Sequence, residues 1–262
     1  MDPSGRVVVV TGAGGGIGGS LVRALVGAGA ATVVATDLEA PKGLSGSVLS
    51  RALDVTDAAA TTQLVDDLER SVGPVDLWFA NAGMAGGGGP EAPDATWDAQ
   101  WQVNVMSHVY AARALLPRWV ERGEGHLITT ASMAGLLTTL GDGVYAATKH
   151  AAVGFAEWMA ITYGDHGIRV SCVCPGAVNT AMLVAATGGD AKKAAAAIGG
   201  GEAMAPDTAA ERILAATVED RFLILTHPEM HDFVVRKAED PERWVRGMRR
   251  LWARTQELLG GS

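Results

Sequence analysis

The amino-acid sequence predicts a single-domain α/β fold, a seven-stranded and mostly parallel sheet doubly wound with helices on both faces. Short Val- and Ile-rich runs alternate with helix-length segments along the 262 residues, the pattern of repeated βαβ units. The first run breaks into glycines that open a helix, and polar residues recur just beyond the ends of later runs. In order, strands are predicted at 6–11 (RVVVVT), 32–36, 48–53, 75–80 (VDLWFA), 125–131, 168–174 and 221–225. Helices are predicted at 17–28, 57–72, 95–120, 144–164 and 206–217. Right-handed crossovers wind such helices onto both faces, which makes the fold Rossmann-type. Two stretches interrupt the rhythm: AGGGGPEAP at 85–93, and a Gly- and Ala-rich segment at about 181–205 that is long enough to serve as a mobile lid. A helical tail is predicted over about 227–262.

Composition narrows the partners. Hydrophobic residues make up 48% of the chain, and 21 Lys and Arg against 29 Asp and Glu leave a formal charge of −8. That balance argues against nucleic acid or an anionic membrane surface and for a small-molecule substrate. The start, MDPSGRVVVVTGAGGG, carries an acid and only a short apolar run, so a cytoplasmic protein without signal or anchor is expected. Cys172 and Cys174 stand two apart on one strand, share a face and read as reduced core residues; no metal site is expected.

In VVVVTGAGGGIGGSLVRAL, glycines allow a tight turn and a close approach of backbone to a pyrophosphate at a helix N-terminus. Strand two ends at Asp37, 19 residues after Gly18, near the spacing of the carboxylate that binds an adenosine ribose. No Lys or Arg directly follows Asp37, since Leu38 stands there, so NAD is favoured over NADP.

In an open parallel sheet, ligands bind beyond the carboxyl ends of the strands. Those ends give Gly12, Asp37, Asp54, Asn81, Ser132 and Pro175-Gly176, all on one rim. The helix after Ser132 then brings Tyr145 and Lys149, four residues apart on one face, to the same rim. For hydride transfer, Tyr145 is the candidate base, its phenol lowered by the Lys149 ammonium and a positive nicotinamide ring. Ser132 is the candidate donor to the developing alkoxide.

These residues make the sequence similar to the short-chain dehydrogenase/reductase family, from residue 6 to about 226. The motifs stand in the family's order: Thr11-Gly12…Gly16-Ile17-Gly18, enclosing Gly14 and Gly15; Asp54-Val55; Asn81-Ala82-Gly83; Asn104 in WQVNV; Ser132; Tyr145…Lys149; and Pro175-Gly176 followed by Val178, Asn179 and Thr180. The resemblance implies that Asn104 helps hold a water linking Lys149 to a proton relay and that Asp54 and Val55 contact the adenine. It implies that Asn81 supports the central strands, that Val178 and Thr180 contact the nicotinamide amide, and that Lys149 contacts the nicotinamide ribose. It also implies a homotetramer. The tail after residue 226 departs from the family core; Trp244, Met248, Leu251 and Trp252 form an apolar stripe among arginines, as in an amphipathic helix packed on the body or on a partner subunit.

The expected activity is an NAD-dependent alcohol dehydrogenase or carbonyl reductase. An NADPH-dependent 3-ketoacyl-type reductase is the alternative within enzymes. A non-catalytic dinucleotide-sensing protein is the alternative outside them, and it would break the Ser, Tyr or Lys position, none of which is broken here. The substrate pocket is expected from Met84, Ser132, Met133, Leu136, Leu137, Tyr145, Met182, Leu183 and Val184, with hinges at Gly188-Gly189 and Gly199–Gly201. No charge stands among these residues, so a neutral, largely apolar secondary alcohol or ketone is expected. The helix at 144–164, with Phe155, Trp158, Met159 and Ile161 around it, and the helix at 95–120 are the expected oligomer surface.

Overall fold

The computed structural model describes residues 1–44, 46–187 and 203–258. Strands β1 (Val7–Thr11), β2 (Thr32–Asp37), β3 (Val48–Ala52), β4 (Val75–Ala80), β5 (Gly125–Thr130), β6 (Ile168–Cys174) and β7 (Leu223–Leu225) form one sheet in the order β3-β2-β1-β4-β5-β6-β7. Every pairing between them is parallel. The order reverses between β1 and β4, which opens a crevice at the carboxyl ends of those two strands.

An unbroken valine run suits a strand covered on both sides, and β1 divides its side chains accordingly. Val7 and Val9 join a core with Leu68 of α2 (Ala58–Ser71), Leu115 and Trp119 of α4 (Ser107–Arg122), and Met159 of α6 (Gly143–Tyr163). Val8 and Val10 join the opposite core with Leu21 and Leu25 of α1 (Gly16–Gly27) and Ile213 of α8 (Pro206–Val218). The polar anchor on the first face is the indole N–H of Trp119, which donates to the Val75 carbonyl at 2.7 Å.

The structure corrects several expectations. The helix expected over 95–120 is α3 (Asp94–Trp101), a π-helical turn over Gln102–Met106, and α4. The wide turn carries Asn104, and such turns cluster at functional positions. The last strand covers only Leu223–Leu225, and Asp220, three residues before it, adopts a left-handed φ of 55°. Met159, expected on the outer surface of its helix, is buried in the core, whereas Trp158 and Ile161 are exposed. Cys172 and Cys174 are buried free thiols with sulfurs 3.9 Å apart.

After Cys174 the chain forms α7 (Ala181–Thr187); the expected hinges at Gly188-Gly189 and Gly199–Gly201 lie outside the described residues. The tail forms α9 (His231–Glu239) and α10 (Pro241–Leu258) and folds back on the body. Lys237 donates to the Leu136 carbonyl, and the Trp252 ring lies 3.2 Å from where a Cβ on Gly141 would stand. Leu251 and Trp252 nonetheless remain partly exposed, so the body covers only part of the expected stripe. Among the described residues, no helix is long and apolar enough to cross a membrane.

Gly125 opens β5 directly beneath Trp119, and a Cβ there would fall 2.1 Å from the indole. Neither the strand backbone nor the hydrogen-bonded ring can yield cheaply. Gly125→Ala is therefore expected to lower stability by about 1–3 kcal/mol or more, read from the urea midpoint; an unchanged midpoint would contradict this packing.

Candidate active site

Where β1 meets α1, the turn is built of close approaches that only glycine permits. A Cβ on Gly18 would lie 2.0 Å from the Gly12 carbonyl oxygen, and one on Gly12, whose φ is 66°, would lie 2.9 Å from Ala82 Cα. At Gly15 a Cβ would meet nothing within 4 Å, so this side of the loop is open. Helix α1 has Gly15 at its N-cap, no side-chain cap and no acid in its first turn. Such an uncapped N-terminus favours an anion through its free N–H groups and its dipole.

Asp37 closes the cradle on one side. Its carboxylate accepts from Gly14 N–H at 2.8 Å and from Leu38 N–H at 2.8 Å, and the Leu38 side chain is 70% exposed. Asn81 closes the other side, donating to the Thr11 carbonyl at 3.0 Å. The Thr11 hydroxyl accepts from the N–H groups of Asn81 and Ala82, both at 3.0 Å, which ties the end of β4 to the end of β1. Asp54 is exposed and its carboxylate serves a local turn, accepting from Thr56 N–H at 2.9 Å; Val55 beside it packs on the core. Thr180 reaches the cradle from the far side, its methyl carbon 3.0 Å from where a Cβ on Gly16 would stand.

Behind this rim lies a buried polar cluster. Lys149 is 3% exposed, its Nζ donates to the Thr130 carbonyl at 2.9 Å, and it lies 5.7 Å from the centre of the Tyr145 ring. Asn104 is fully buried; its amide clamps the Met84 main chain, accepting from the N–H and donating to the carbonyl, both at 2.9 Å, and also donates to the Thr148 hydroxyl at 3.0 Å. A Cβ on Gly83 would lie 3.3 Å from both Asn104 Oδ1 and Lys149 Nζ, so the glycine of Asn81-Ala82-Gly83 is the shared wall between them. The side chain of Asn104 is thus occupied in setting the loop after β4.

Burial governs the two titrating groups. It lowers Lys149 to about 8, against a smaller opposing effect of Cys174 and Cys172 on β6. It raises the Tyr145 phenol above its ordinary value, opposed by the hydrogen bond with Ser132; Asp142 and Cys174 add to the rise. The expected lowering rests on the Lys149 ammonium together with a positive nicotinamide ring; without the ring, desolvation of the phenolate leaves the phenol raised.

Of the expected pocket residues, Met84, Ser132, Leu136, Tyr145 and Leu183 are half-buried and Met182 is exposed. Met133 and Leu137 belong instead to the core, Met133 being held by its N–H on the Pro175 carbonyl at 2.9 Å. His126 pairs with the Ser171 hydroxyl at 2.9 Å inside the sheet, and exposed His150 bonds the Ala146 carbonyl of its own helix.

Two contributors carry no sequence signal of their own, and a third, the tail, shows in the sequence only as an apolar stripe. Asp142 caps α6, accepting from Tyr145 N–H at 3.0 Å and from Gly86 N–H at 2.8 Å, so one carboxylate fixes both α6 and the 85–93 loop. The carbonyl of Thr130 anchors Lys149. The tail builds a groove of about 340 Å³ with Thr138–Gly141, lined by Trp244, Met248, Arg249 and Trp252, alongside the loop that joins Ser132 to Tyr145. Among the described residues no cluster of three or more His, Cys, Asp or Glu is arranged to hold a metal.

The family model described as short chain dehydrogenase matches residues 6–190. The chain is 36% identical over 246 residues to 1-deoxy-11-beta-hydroxypentalenate dehydrogenase of Streptomyces avermitilis, covering 87% of this chain and 86% of that protein. It is 34% identical over 189 residues to 3beta-hydroxysteroid dehydrogenase 2 of Eggerthella lenta, covering 68% and 72%. Its fold is similar to that of a short chain dehydrogenase/reductase from Burkholderia phymatum solved in complex with NAD, with a TM-score of 0.81, 28% identity and coverage of 92% and 96%.

The buried ammonium sets a pH dependence. Between about 8 and the ordinary lysine value of 10.5 only the unfolded chain holds this proton, so Lys149 makes the fold gain stability as pH rises across that window. NMR titration of the lysine side chains in the cofactor-free protein is expected to show one group titrating near 8 and absent from Lys149→Met. Titration of every lysine near 10.5 would contradict the burial seen here.

Proposed function

Because the chain belongs to the short-chain dehydrogenase/reductase family, we propose that it transfers a hydride between NAD(H) and a neutral, largely apolar secondary alcohol or ketone. The observation that carries this is the convergence of Tyr145 and Ser132 over buried Lys149 beside an uncapped glycine cradle. The cradle fits a dinucleotide: Gly12, Gly14, Gly15, Gly16, Ile17 and Gly18 would hold its pyrophosphate, and Asp37 with Leu38 its adenosine ribose. Asp54, Val55, Asn81, Ala82 and Gly83 would flank its adenine and central part, and Pro175, Gly176, Val178 and Thr180 its nicotinamide end. NAD is preferred over NADP because an added ribose phosphate would meet the Asp37 carboxylate with no guanidinium or ammonium at Leu38.

Bound NAD supplies the hydride acceptor and a positive ring. In oxidation, the Tyr145 phenolate oxygen takes the substrate hydroxyl proton while the Ser132 hydroxyl donates to the oxygen that is left. Lys149, held on the Thr130 carbonyl, keeps an ammonium behind the phenol below about pH 8 and so supports its ionised form. Asn104 acts by fixing the Met84 main chain and, by family likeness, the water of a relay from Lys149. Relatives named for a hydroxypentalenate and a hydroxysteroid support a hydroxyl-bearing substrate. The half-buried Met84, Leu136 and Leu183 support an apolar one, bound mainly by area burial. In this reading the protein is cytoplasmic, its partner is a small molecule rather than nucleic acid or membrane, and the segment 181–205 is its lid.

Tyr145→Phe keeps the ring and loses the oxygen. With NAD and a panel of cyclic secondary alcohols, polyols and hydroxy acids, the wild type is expected to turn over the cyclic alcohols best and to use NADP poorly. The variant should still bind NAD but turn over at least about a hundredfold more slowly. Turnover near wild type by Tyr145→Phe, or a preference for either polar class, would sink the reading.

We also propose a homo-oligomer, a tetramer by family likeness, built on α6 and α3–α4. Trp158 at 53% and Ile161 at 77% exposure, with Trp101 at 43%, leave apolar surface on these helices without cover. Sedimentation at micromolar concentration is expected to give a mass above that of one chain, and Trp158→Glu with Ile161→Glu to reduce it. A wild-type monomer would refute it.

A further inference from the structure

His227 ends the sheet and begins the tail, and its side chain is nearly buried. Its Nδ1 accepts from Gly176 N–H at 3.2 Å, and the Thr226 hydroxyl lies 2.9 Å from the same nitrogen. Because a backbone N–H can only donate, Nδ1 is the unprotonated nitrogen and the ring carries its proton on Nε2. The contact is close: a Cβ on Gly176 would lie 2.7 Å from Nδ1 and 2.9 Å from Cγ, so this glycine exists to admit the imidazole edge. Arg212 of α8 fixes the imidazole's own backbone by donating to the Thr226 carbonyl at 2.6 Å.

The segment that His227 touches joins the two halves of the site. Pro175 accepts from Met133 N–H at 2.9 Å, beside Ser132. Asn179 N–H donates to the Met204 carbonyl at 2.9 Å, just before α8. Thr180 sits against Gly16 of the cradle. His227 is the side chain that holds the stretch between these anchors from behind.

We propose that His227 is a positioning residue: its neutral imidazole keeps Pro175–Thr180 against the glycine cradle, and a proton on Nδ1 releases that segment. The proposal rests on the cofactor reading given above, which assigns the segment to the nicotinamide end of the dinucleotide. Protonation converts the acceptor facing Gly176 into a donor facing a donor, so the hydrogen bond is lost and a repulsion replaces it. Burial holds the imidazole below its ordinary value of 6.5, Arg212 acts in the same direction, and Glu229 and the Ala177 carbonyl oppose. The clamp is therefore complete at and above the ordinary value of 6.5 and is lost only as pH falls through the lowered value of the folded imidazole.

The test is NADH affinity by fluorescence titration from about pH 8 down to about pH 5.5, with wild type, His227→Asn and His227→Leu. Asparagine can present an acceptor oxygen near the position of Nδ1 and does not titrate; leucine presents none. Wild type is expected to bind tightly at the upper end and to weaken on the acid side. His227→Asn should bind tightly throughout, and His227→Leu should bind on the order of tenfold more weakly throughout. Binding by His227→Leu equal to wild type, or acid weakening that persists in His227→Asn, would overturn the proposal while leaving the cofactor reading intact. Absence of NADH binding by wild type at every pH would overturn the cofactor reading and the proposal with it. If His227→Leu does not fold, His227→Asn and nitrogen NMR of the wild-type imidazole decide: Nε2 protonated supports the clamp, Nδ1 protonated refutes it.

Discussion

Everything in this molecule is arranged around one near-collision, the Gly18 backbone against the Gly12 carbonyl. With 2.0 Å between that oxygen and any added Cβ, α1 can sit this tightly on the end of β1 only if position 18 has no side chain. Close seating brings the helix N-terminus to the crevice at the β1/β4 reversal, and the Thr11 and Asn81 hydrogen bonds lock the two strand ends in that geometry. The positive end of a helix then faces a point where backbone, not side chain, lines the surface. Asp37, Asn81 and Thr180 take their places by reference to that point.

The second organising fact is desolvation. Lys149 is almost wholly enclosed, and among the described residues its ammonium donates to the Thr130 carbonyl. Enclosure makes the ammonium easier to deprotonate and the phenol of Tyr145 harder to ionise, the opposite of what a Tyr and Lys pair achieves at a surface. The fold by itself therefore favours the neutral phenol and eases loss of the lysine proton.

Much of this was legible in the sequence because it rests on local rules. Valine runs gave the strands their places within a residue or two, since period and composition are properties of neighbours. The glycine loop, Asp37, Asn81, Ser132, Tyr145 and Lys149 could be read because strand ends of a parallel sheet fall on one edge whatever the details of packing. What could not be read depends on contacts between distant residues. The π-helical turn at Asn104 interrupts no visible periodicity, and the residue it carries grips Met84, 20 residues away. Asp142 looks like any turn aspartate until its second acceptor role, toward Gly86, is seen. Met159 and Trp158 are adjacent and equally apolar, and only the direction of β5 and β6 beneath the helix decides which is buried.

The attachment of the tail has a consequence for how the chain is made. Lys237 meets Leu136 across 101 residues, and Trp252 meets Gly141 from nearer the end of the chain still. On a ribosome, β1 to β6 and the whole glycine cradle emerge before either of these partners exists. The dinucleotide-facing half of the protein can therefore close while the nascent wall beside the Ser132 to Tyr145 loop is still missing, and that wall forms by docking of the final helices onto a finished surface. Its residues answer to few constraints from the sheet.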